Sequence, residues 1–467
     1  MKISKSDAVT ATFSRPELRF EEQDLTWFSG LVLFQSLFAR LGLYRRLARC
    51  FRHSSVCPIY PQAKIILLLI VHMLLGFRCL RDSRYYAHDP MVLRVIGLRQ
   101  LPAVSTISRQ LASLDENSVQ NLEALRTALV LDRLAKLDSP RITLDFDGSV
   151  IGTKRKAEGT AVGFNKSKKG QRSYYPLYCT VAQTGQVLDV LNRSGNVHDS
   201  NGAKQFVLEC IAAVRAVRTG RRTLIEVRMD SAFFSDEILT ALEQAQVRYT
   251  ISVPFARFAL LKEKIEDRID WQPIDCGVER DCDAFEENWQ PESWGKGRAR
   301  RFLFIRQFNP KQQKEPIQLD LFEPSSYDFD FKVVITNRKD WIAKAVVFHE
   351  GRGSQEGIFA ELKSENALAY VPTKTWLGNR AFMSATLIAH NLTRELEMTC
   401  EQTTRSVHNA KRAPLWTFSR MNTFRRELLQ RAGRLIRPQG KLTLSMNINE
   451  VVKSRIEAAL HIIEAAA

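Results

Sequence analysis

A mixed α/β protein with a helical N-terminal region is the fold this sequence predicts, and three patterns predict it. Up to about residue 138, apolar side chains recur at helical spacing. Near residue 140 the period drops to two, as in a strand with two different faces. From there to about 250 the elements run three strands, helix, strand, helix.

The helical region contains Trp27 to Phe51, Pro61 to Phe77 and Asp115 to Leu137. Between them, Leu101 to Leu111 offers a short helix with Ser105 as a possible cap. Its Ser-Thr-x-Ser-Arg start suits a recognition helix on nucleic acid and equally an amphipathic packing helix. In the first predicted strand, Ile142, Leu144 and Phe146 face one way and Thr143, Asp145 and Asp147 the other. Basic residues follow, among them Lys154, Arg155, Lys156, Lys166, Lys168, Lys169 and Arg172. Ser173 to Ala182 and Gln186 to Arg193, joined at Thr184-Gly185, read as a hairpin. Asn201 to Val217 is a helix, Thr223 to Asp230 a strand, and Ser235-Asp236-Glu237 opens another helix with a cap and an acidic first turn.

Phe302 to Gln307 and Phe329 to Thr336 read as strands, with a polar loop over Asn309 to Ser326. Helical character returns from Trp341, through Ser354 to Leu368 and through Phe382 to Met398. The tail predicts a basic helix over Thr423 to Ile436, a strand over Lys441 to Ser445 and a last helix over Ile448 to Glu464. The organisation expected is a helical region 1–138, an α/β unit 139–250, a β-rich insertion 251–340, a return to the α/β unit over 341–400, and a basic helical region 401–467.

Composition narrows the function. The chain has 467 residues, enough for two to four structural units, and carries a formal net charge of +17. Such an excess favours a polyanionic partner. The longest apolar run, Ile65 to Phe77, falls short of the roughly 20 residues a membrane span needs, and the N-terminus shows no apolar signal segment. No membrane partner is expected, which leaves nucleic acid. The eight cysteines form no CxxC pair, and Cys50, Cys57 and Cys79 with His53 and His72 fit no zinc template. Free thiols in a reducing cytoplasm are expected. No Gly-x-Ser-x-Gly elbow and no Gly-x-x-x-x-Gly-Lys-Ser/Thr loop is present, so neither a serine hydrolase nor ATP dependence is indicated.

Two predicted strands end in an aspartate, Asp147 and Asp230. Carboxylate oxygens suit a hard cation such as Mg²⁺, which keeps other positions for water and phosphate, and paired ions serve phosphodiester displacement. Taken singly, each aspartate also fits a structural role, Asp147-Gly148 as a turn and Asp230-Ser231 as a loop start. Asp145 leaves the same face as Asp147, about 6.6 Å away along the strand. Deeper in the strand, it is expected to orient a neighbour. His349, Arg352, Glu356 and Lys363 are spaced by three, four and seven positions; on one helix they fall within an arc of roughly 60°. Gly351 and Gly353 cut against a continuous helix, in which case Ser354 caps a new one carrying Glu356 and Lys363. An ordinary exposed charged face fits the same spacing. Trp271, Trp289 and Trp294 either fill a small core of the insertion or offer an indole to an unpaired base.

The segments Leu144-Asp145-Phe146-Asp147-Gly148-Ser149, Tyr174-Tyr175-Pro176-Leu177, Arg193-Ser194-Gly195-Asn196, Arg228-Met229-Asp230-Ser231-Ala232-Phe233, and Arg352-Gly353-Ser354-Gln355-Glu356 with Glu361-Leu362-Lys363 resemble, in this order, insertion-sequence transposases of the DDE type. The branch is the one with a Tyr-Arg-Glu-Lys signature, transposase DDE domain group 1. The resemblance implies a ribonuclease H-like catalytic domain with a β-rich insertion between the second aspartate and the glutamate. It implies Asp147, Asp230 and Glu356 as catalytic metal ligands for Mg²⁺, with Mn²⁺ able to substitute. It implies Arg352 and Lys363 as phosphate contacts, and His349, standing where the branch has tyrosine, as a further DNA contact. Lys168, Lys169 and Arg172 are further candidate DNA contacts. Implied partners are double-stranded DNA, as inverted-repeat ends and as target, and a second copy of the chain in a synaptic dimer. The setting implied is the bacterial cytoplasm, at the nucleoid. The competing functions are a nuclease on the same fold and a domesticated DNA-binding protein without transposition activity.

Overall fold

The computed structural model describes residues 17–18, 21, 23–53, 59–163, 165, 168–197, 202–220, 222–275, 281–295, 297–308, 329–404 and 414–465. The expected 309–326 loop, Lys166 and Cys57 lie outside these. The N-terminal third is helical: α1 (Leu31–Arg40), α2 (Leu43–Cys50), α3 (Gln62–Leu74), α4 (Pro90–Ile96), α5 (Val104–Ala112) and α6 (Glu116–Lys136). The predicted Trp27–Phe51 helix is broken between α1 and α2 at Gly42, whose φ of 60° is open to glycine. Asp115 caps α6 by accepting from Ser118 N. Ser105 caps nothing: α5 starts one residue earlier, after Ala103. Ile107 and Leu111 bury the inner face of α5, while Ser105 and Arg109 lie exposed.

Nine strands form one mixed sheet. In chain order they are β1 (Arg141–Gly148), β2 (Leu177–Val181), β3 (Gln186–Leu191), β4 (Leu224–Met229), β5 (Arg248–Ser252), β6 (Gln272–Ile274), β7 (Cys282–Trp289), β8 (Arg300–Phe308) and β9 (Phe329–Thr336). Their spatial order is 6-7-8-9-5-4-1-2-3. β4 is parallel to β1 and to β5, and the remaining pairs are antiparallel. The five strands 3-2-1-4-5, with α7 (Ala203–Val217) and α8 (Asp236–Gln244) between them in sequence, are a ribonuclease H-like sheet. After β5 comes α9 (Ala259–Glu266). The strands of 251–340 then continue this same sheet, because β9 pairs with β5 through Val334–Ser252, Ile335–Ile251 and Thr336–Thr250.

Trp271 and Trp289 pack against phenylalanines of that extension, and Trp294 against Phe234, which precedes it. Trp271 lies edge-on to Phe285 at 4.9 Å, Trp289 edge-on to Phe302 at 5.1 Å, and Trp294 lies 5.0 Å from Phe234. They pack against the core that the extension shares with the rest of the sheet.

The chain returns through α10 (Ile342–Glu350), α11 (Gly353–Ser364) and α12 (Trp376–Cys400). Of the 25 residues of α12, 20 are buried. Ala381, Phe382, Ala385, Ile388, Ala389, Leu392 and Leu396 close the helical core, whereas Met383 and Leu387 pack with Tyr178, Val187 and Phe359 of the sheet side. A single helix thus belongs to both cores. The final helix α13 (Glu450–Ala465) packs against α1 and α12. The predicted helix over Thr423–Ile436 is instead a short helical segment over Met421–Leu429 followed by a strand, Gly433–Ile436, which pairs with Leu25–Thr26 and Thr443–Met446. Among the described residues, no helix is long and apolar enough to cross a membrane.

Candidate active site

The parallel pairing of β1 and β4 sets the site. Its register matches Phe146 with Met229, so Asp147 and Asp230, each one residue further on, emerge side by side from strands about 4.8 Å apart. Gly148 follows Asp147 because Tyr175 packs over it: a Cβ there would stand 2.7 Å from the ring. The Asp147 Oδ1 accepts from Gly148 N at 2.7 Å. Asp230 accepts from Ala232 N at 3.0 Å and starts a short 3₁₀ turn, Ser231–Phe233.

The third element is anchored from behind. Arg228 and Asp145, neighbours across β4 and β1 and both 1% exposed, form a bidentate ion pair at 2.6 and 2.7 Å. Arg228 Nη1 also donates to Phe348 O at 2.9 Å, one of the last carbonyls of α10. Gln355, buried in α11, donates to Asp145 O at 2.9 Å. Gly351 lies between the two helices because a side chain there would collide with the Arg228 guanidinium. These contacts bind α10 and α11 to the strand that ends in Asp147, and they set the two residues that matter next. Arg352 Nη1 lies 3.3 Å from Asp147 Oδ2, and its Nη2 lies 3.9 Å from Glu356 Oε1. The guanidinium sits between two carboxylates that come from different elements.

The electrostatics agree with this convergence. Burial pushes the Asp147 carboxyl up to about 7; Asp230 and Glu356 push the same way, and Arg352 and Gly148 N–H oppose them. Burial lowers the Lys363 ammonium, and the charge of Asp147 raises it. Asp147, Asp230, Glu356, Arg352 and Lys363 thus act on one another. Among the described residues, no three His, Cys, Asp or Glu side chains are already drawn into one ligand cage. The donor set nevertheless suits a hard divalent cation: all three candidates are carboxylates, and like charges crowd a part-buried aspartate whose repulsion a cation would relieve.

His349 does not join this group. It is 1% exposed, with Nδ1 2.9 Å from Thr250 Oγ1 and Nε2 2.9 Å from Ser252 Oγ. Burial, with Lys332, Arg352 and Arg228 nearby, drives its pKa well below the usual value. A neutral imidazole inside the protein, tying α10 to β5, cannot contact a phosphate, so the expectation for His349 is corrected. The one-face arc fails for the same reason: the chain passes from α10 to α11 through Gly351 and Arg352, and His349 belongs to the buried side. Ser354 is not the cap of α11, which follows Arg352. Arg172 is half-buried and engaged, its Nε donating to Thr160 Oγ1 at 3.0 Å and its Nη2 to Thr160 O. It holds a loop in place of a phosphate. Lys168 and Lys169 are exposed on a turn. Sequence alone assigns no role to Arg228 or Gln355; an arginine two residues before a metal-candidate aspartate gives no signal until its partner strand is known.

A ribonuclease H-like sheet with an acidic pair at two parallel strand ends, and a third acid on a helix anchored to the first strand, defines the DDE class of domain. The chain belongs to the family transposase DDE domain group 1, whose model matches residues 13–467. It is therefore a member of a transposase family. Three solved structures are among those it is similar to. The first is a piggyBac transposase synaptic complex with hairpin DNA, at 12% identity and a TM-score of 0.38, covering 79% of this chain and 78% of that one. The second is a Mos1 transposase paired-end complex with the left transposon end, at 10% identity and a TM-score of 0.17, covering 42% and 60%. The third is a Mos1 mariner paired-end complex with Mn, at 11% identity and a TM-score of 0.18, covering 47% and 76%. No curated protein matches the chain.

Proposed function

We propose that this protein binds the ends of an insertion sequence and catalyses metal-dependent cleavage and strand transfer of DNA, with Asp147, Asp230 and Glu356 as its catalytic carboxylates. The observation that supports this reading is the pair of aspartates Asp147 and Asp230 at neighbouring strand ends, with the Arg352 guanidinium between Asp147 and Glu356. The net charge of +17 supports a DNA partner.

Asp147, Asp230 and Glu356 would hold divalent cation, Mg²⁺ or Mn²⁺. When bound, the metal supplies activation of the attacking oxygen and charge stabilisation on the leaving one. The chain's own residues do the rest. Arg352, beside Asp147 and Glu356, is placed to bind a phosphate oxygen, and its planar fork suits that contact. Lys363 adds a second cation on the side of Asp147. The Arg228–Asp145 pair and Gln355 keep the strand end and α11 in register, so the acids meet the scissile phosphate pre-positioned. A homodimer follows from the need to bring two DNA ends together.

The test is single-turnover nicking, in Mg²⁺, of a fragment carrying the short inverted repeats expected to flank the reading frame. Glu356→Gln is expected to abolish nicking and keep end binding, since the 70% exposed side chain contributes little to folding. Wild-type binding without any cleavage would favour the domesticated reading. Cleavage indifferent to the repeats would favour the nuclease.

A further inference from the structure

Next to the candidate active site, the helical region carries a cationic feature that the carboxylate chemistry does not use. Leu80–Tyr86 is a 3₁₀ helix of seven residues, about twice the usual limit of three to four. Asp82 pins its start by accepting from Cys79 N at 2.9 Å. With three residues per turn, side chains three apart eclipse one another. Arg81 and Arg84 therefore share one face; Arg78 lies just ahead of the helix, before an extended Cys79. All three are exposed, Arg81 to 76%.

Arg78 lies at the site. Arg78 Nη2 donates to Lys363 O at 3.1 Å, in the last turn of α11. The far end of the 3₁₀ helix is held in shape: the Arg84 guanidinium lies 4.9 Å over the Tyr85 ring and donates to its hydroxyl at 3.1 Å, and Tyr85 stacks on Phe77 at 6.2 Å. Arg155, exposed on the segment that follows β1, lies in the same neighbourhood. It donates to Pro372 O at 3.5 Å and acts on Tyr370, which also feels Cys79 and Asp82. The acids here are engaged: Asp82 caps Cys79 and lies 3.9 Å from Arg81, and Glu158 accepts from Trp376 N at 2.9 Å.

We propose that Arg78, Arg81 and Arg84 form a phosphate-binding ridge that carries the DNA strand away from the carboxylate site along the helical region. The inference rests on the DNA-cleaving reading above, and adds to it a track and a direction. Two guanidiniums on one helix face, with a third just ahead of them rooted on the helix that bears Glu356, suit a sugar–phosphate backbone; they read no sequence.

The test uses the full chain, without divalent cation, and a random-sequence duplex of about 30 base pairs titrated across a range of salt. Arg81→Gln with Arg84→Gln is expected to weaken binding and to reduce the slope of log K against log salt by about 1.8, the loss of two phosphate contacts at about 0.9 each. Arg81→Lys with Arg84→Lys is expected to restore most of the slope. If wild-type binds and the Gln pair, melting as wild-type does, keeps the wild-type slope, the ridge is overturned and the DNA-cleaving reading stands. If wild-type binds no DNA, both fall.

Discussion

Asp145 and Arg228 face each other across β1 and β4 and close two hydrogen bonds, 2.6 and 2.7 Å, with 1% of either side chain exposed. Two residues further along β1, Asp147 is crowded by other carboxylates and has a single arginine contact at 3.3 Å. One strand therefore carries a balanced acid and an unbalanced one.

That contrast predicts a crossed pattern. Asp145→Asn leaves a buried guanidinium short of its counter-charge and should cost about 3 to 5 kcal/mol of stability, while nicking persists where the variant is folded. Asp147→Asn removes a repelled carboxyl, so stability should hold or rise while nicking disappears in Mg²⁺ and in Mn²⁺. Urea unfolding and single-turnover nicking on both variants decide it. A folded but inactive Asp145→Asn beside an active Asp147→Asn would mean the candidate ligand is wrong by one strand repeat.

Divalent cation should stabilise the folded chain. A ligand held only by the native state at about 100 times its Kd adds about 2.7 kcal/mol. The rise in melting temperature on adding Mn²⁺ should be lost in Asp147→Asn and in Asp230→Asn. An equal rise in all three proteins would place the ion elsewhere.

Arg352 and Lys363 should each bind one phosphate. Arg352→Ala and Lys363→Ala are expected to bind end DNA more weakly, each with a salt slope shallower by about one. His349→Gln should instead leave the slope at the wild-type value and lower stability, since Thr250 and Ser252 lose their partner. A shallower slope for His349→Gln would contradict its buried position.

Acid should loosen the helical region through His72. Burial holds it at about 4, with Asp82 and the Cys79 backbone opposing, and its Nδ1 lies 2.6 Å from Tyr86 Oη. Its folded pKa lies below the unfolded value of 6.5, so the unfolded chain takes up the proton first. Stability is then lost as pH falls from 6.5 towards 4, by about 3 kcal/mol from this group. Glu397, raised by burial to about 7, acts in the opposite sense, losing stability as pH rises from 4.5 to 7. His72→Phe isolates the first effect. Its urea midpoint should fall less than that of wild type between pH 6.5 and 4, and parallel curves would remove His72 as the cause.

Much of the fold was legible because it is local. The Ile142-Leu144-Phe146 alternation marks β1, Asp115 marks the start of α6, and the placing of Asp147 and Asp230 at strand ends follows from where the apolar pattern stops. What escaped was long-range. Nothing in Phe329–Thr336 says that it joins β5 and makes the insertion part of the main sheet. The spacing of His349 matches the charged face of a helix, but burial depends on Thr250 and Ser252, about a hundred positions earlier. Gly433–Ile436 reads as helix from its basic, apolar mixture and becomes a strand because Leu25–Thr26 and Thr443–Met446 offer it edges.

The sharing of α12 between two cores bears on what pieces of this chain can exist. A product of premature termination that ends before Trp376 lacks the helix on which α3 and α6 close, and its leucines and isoleucines would face water. Such a fragment would be cleared or aggregate, so it could not persist as a stable competitor of the full-length protein. Transplanting the first 138 residues onto another catalytic body would fail for the same reason unless that body brought an equivalent of α12.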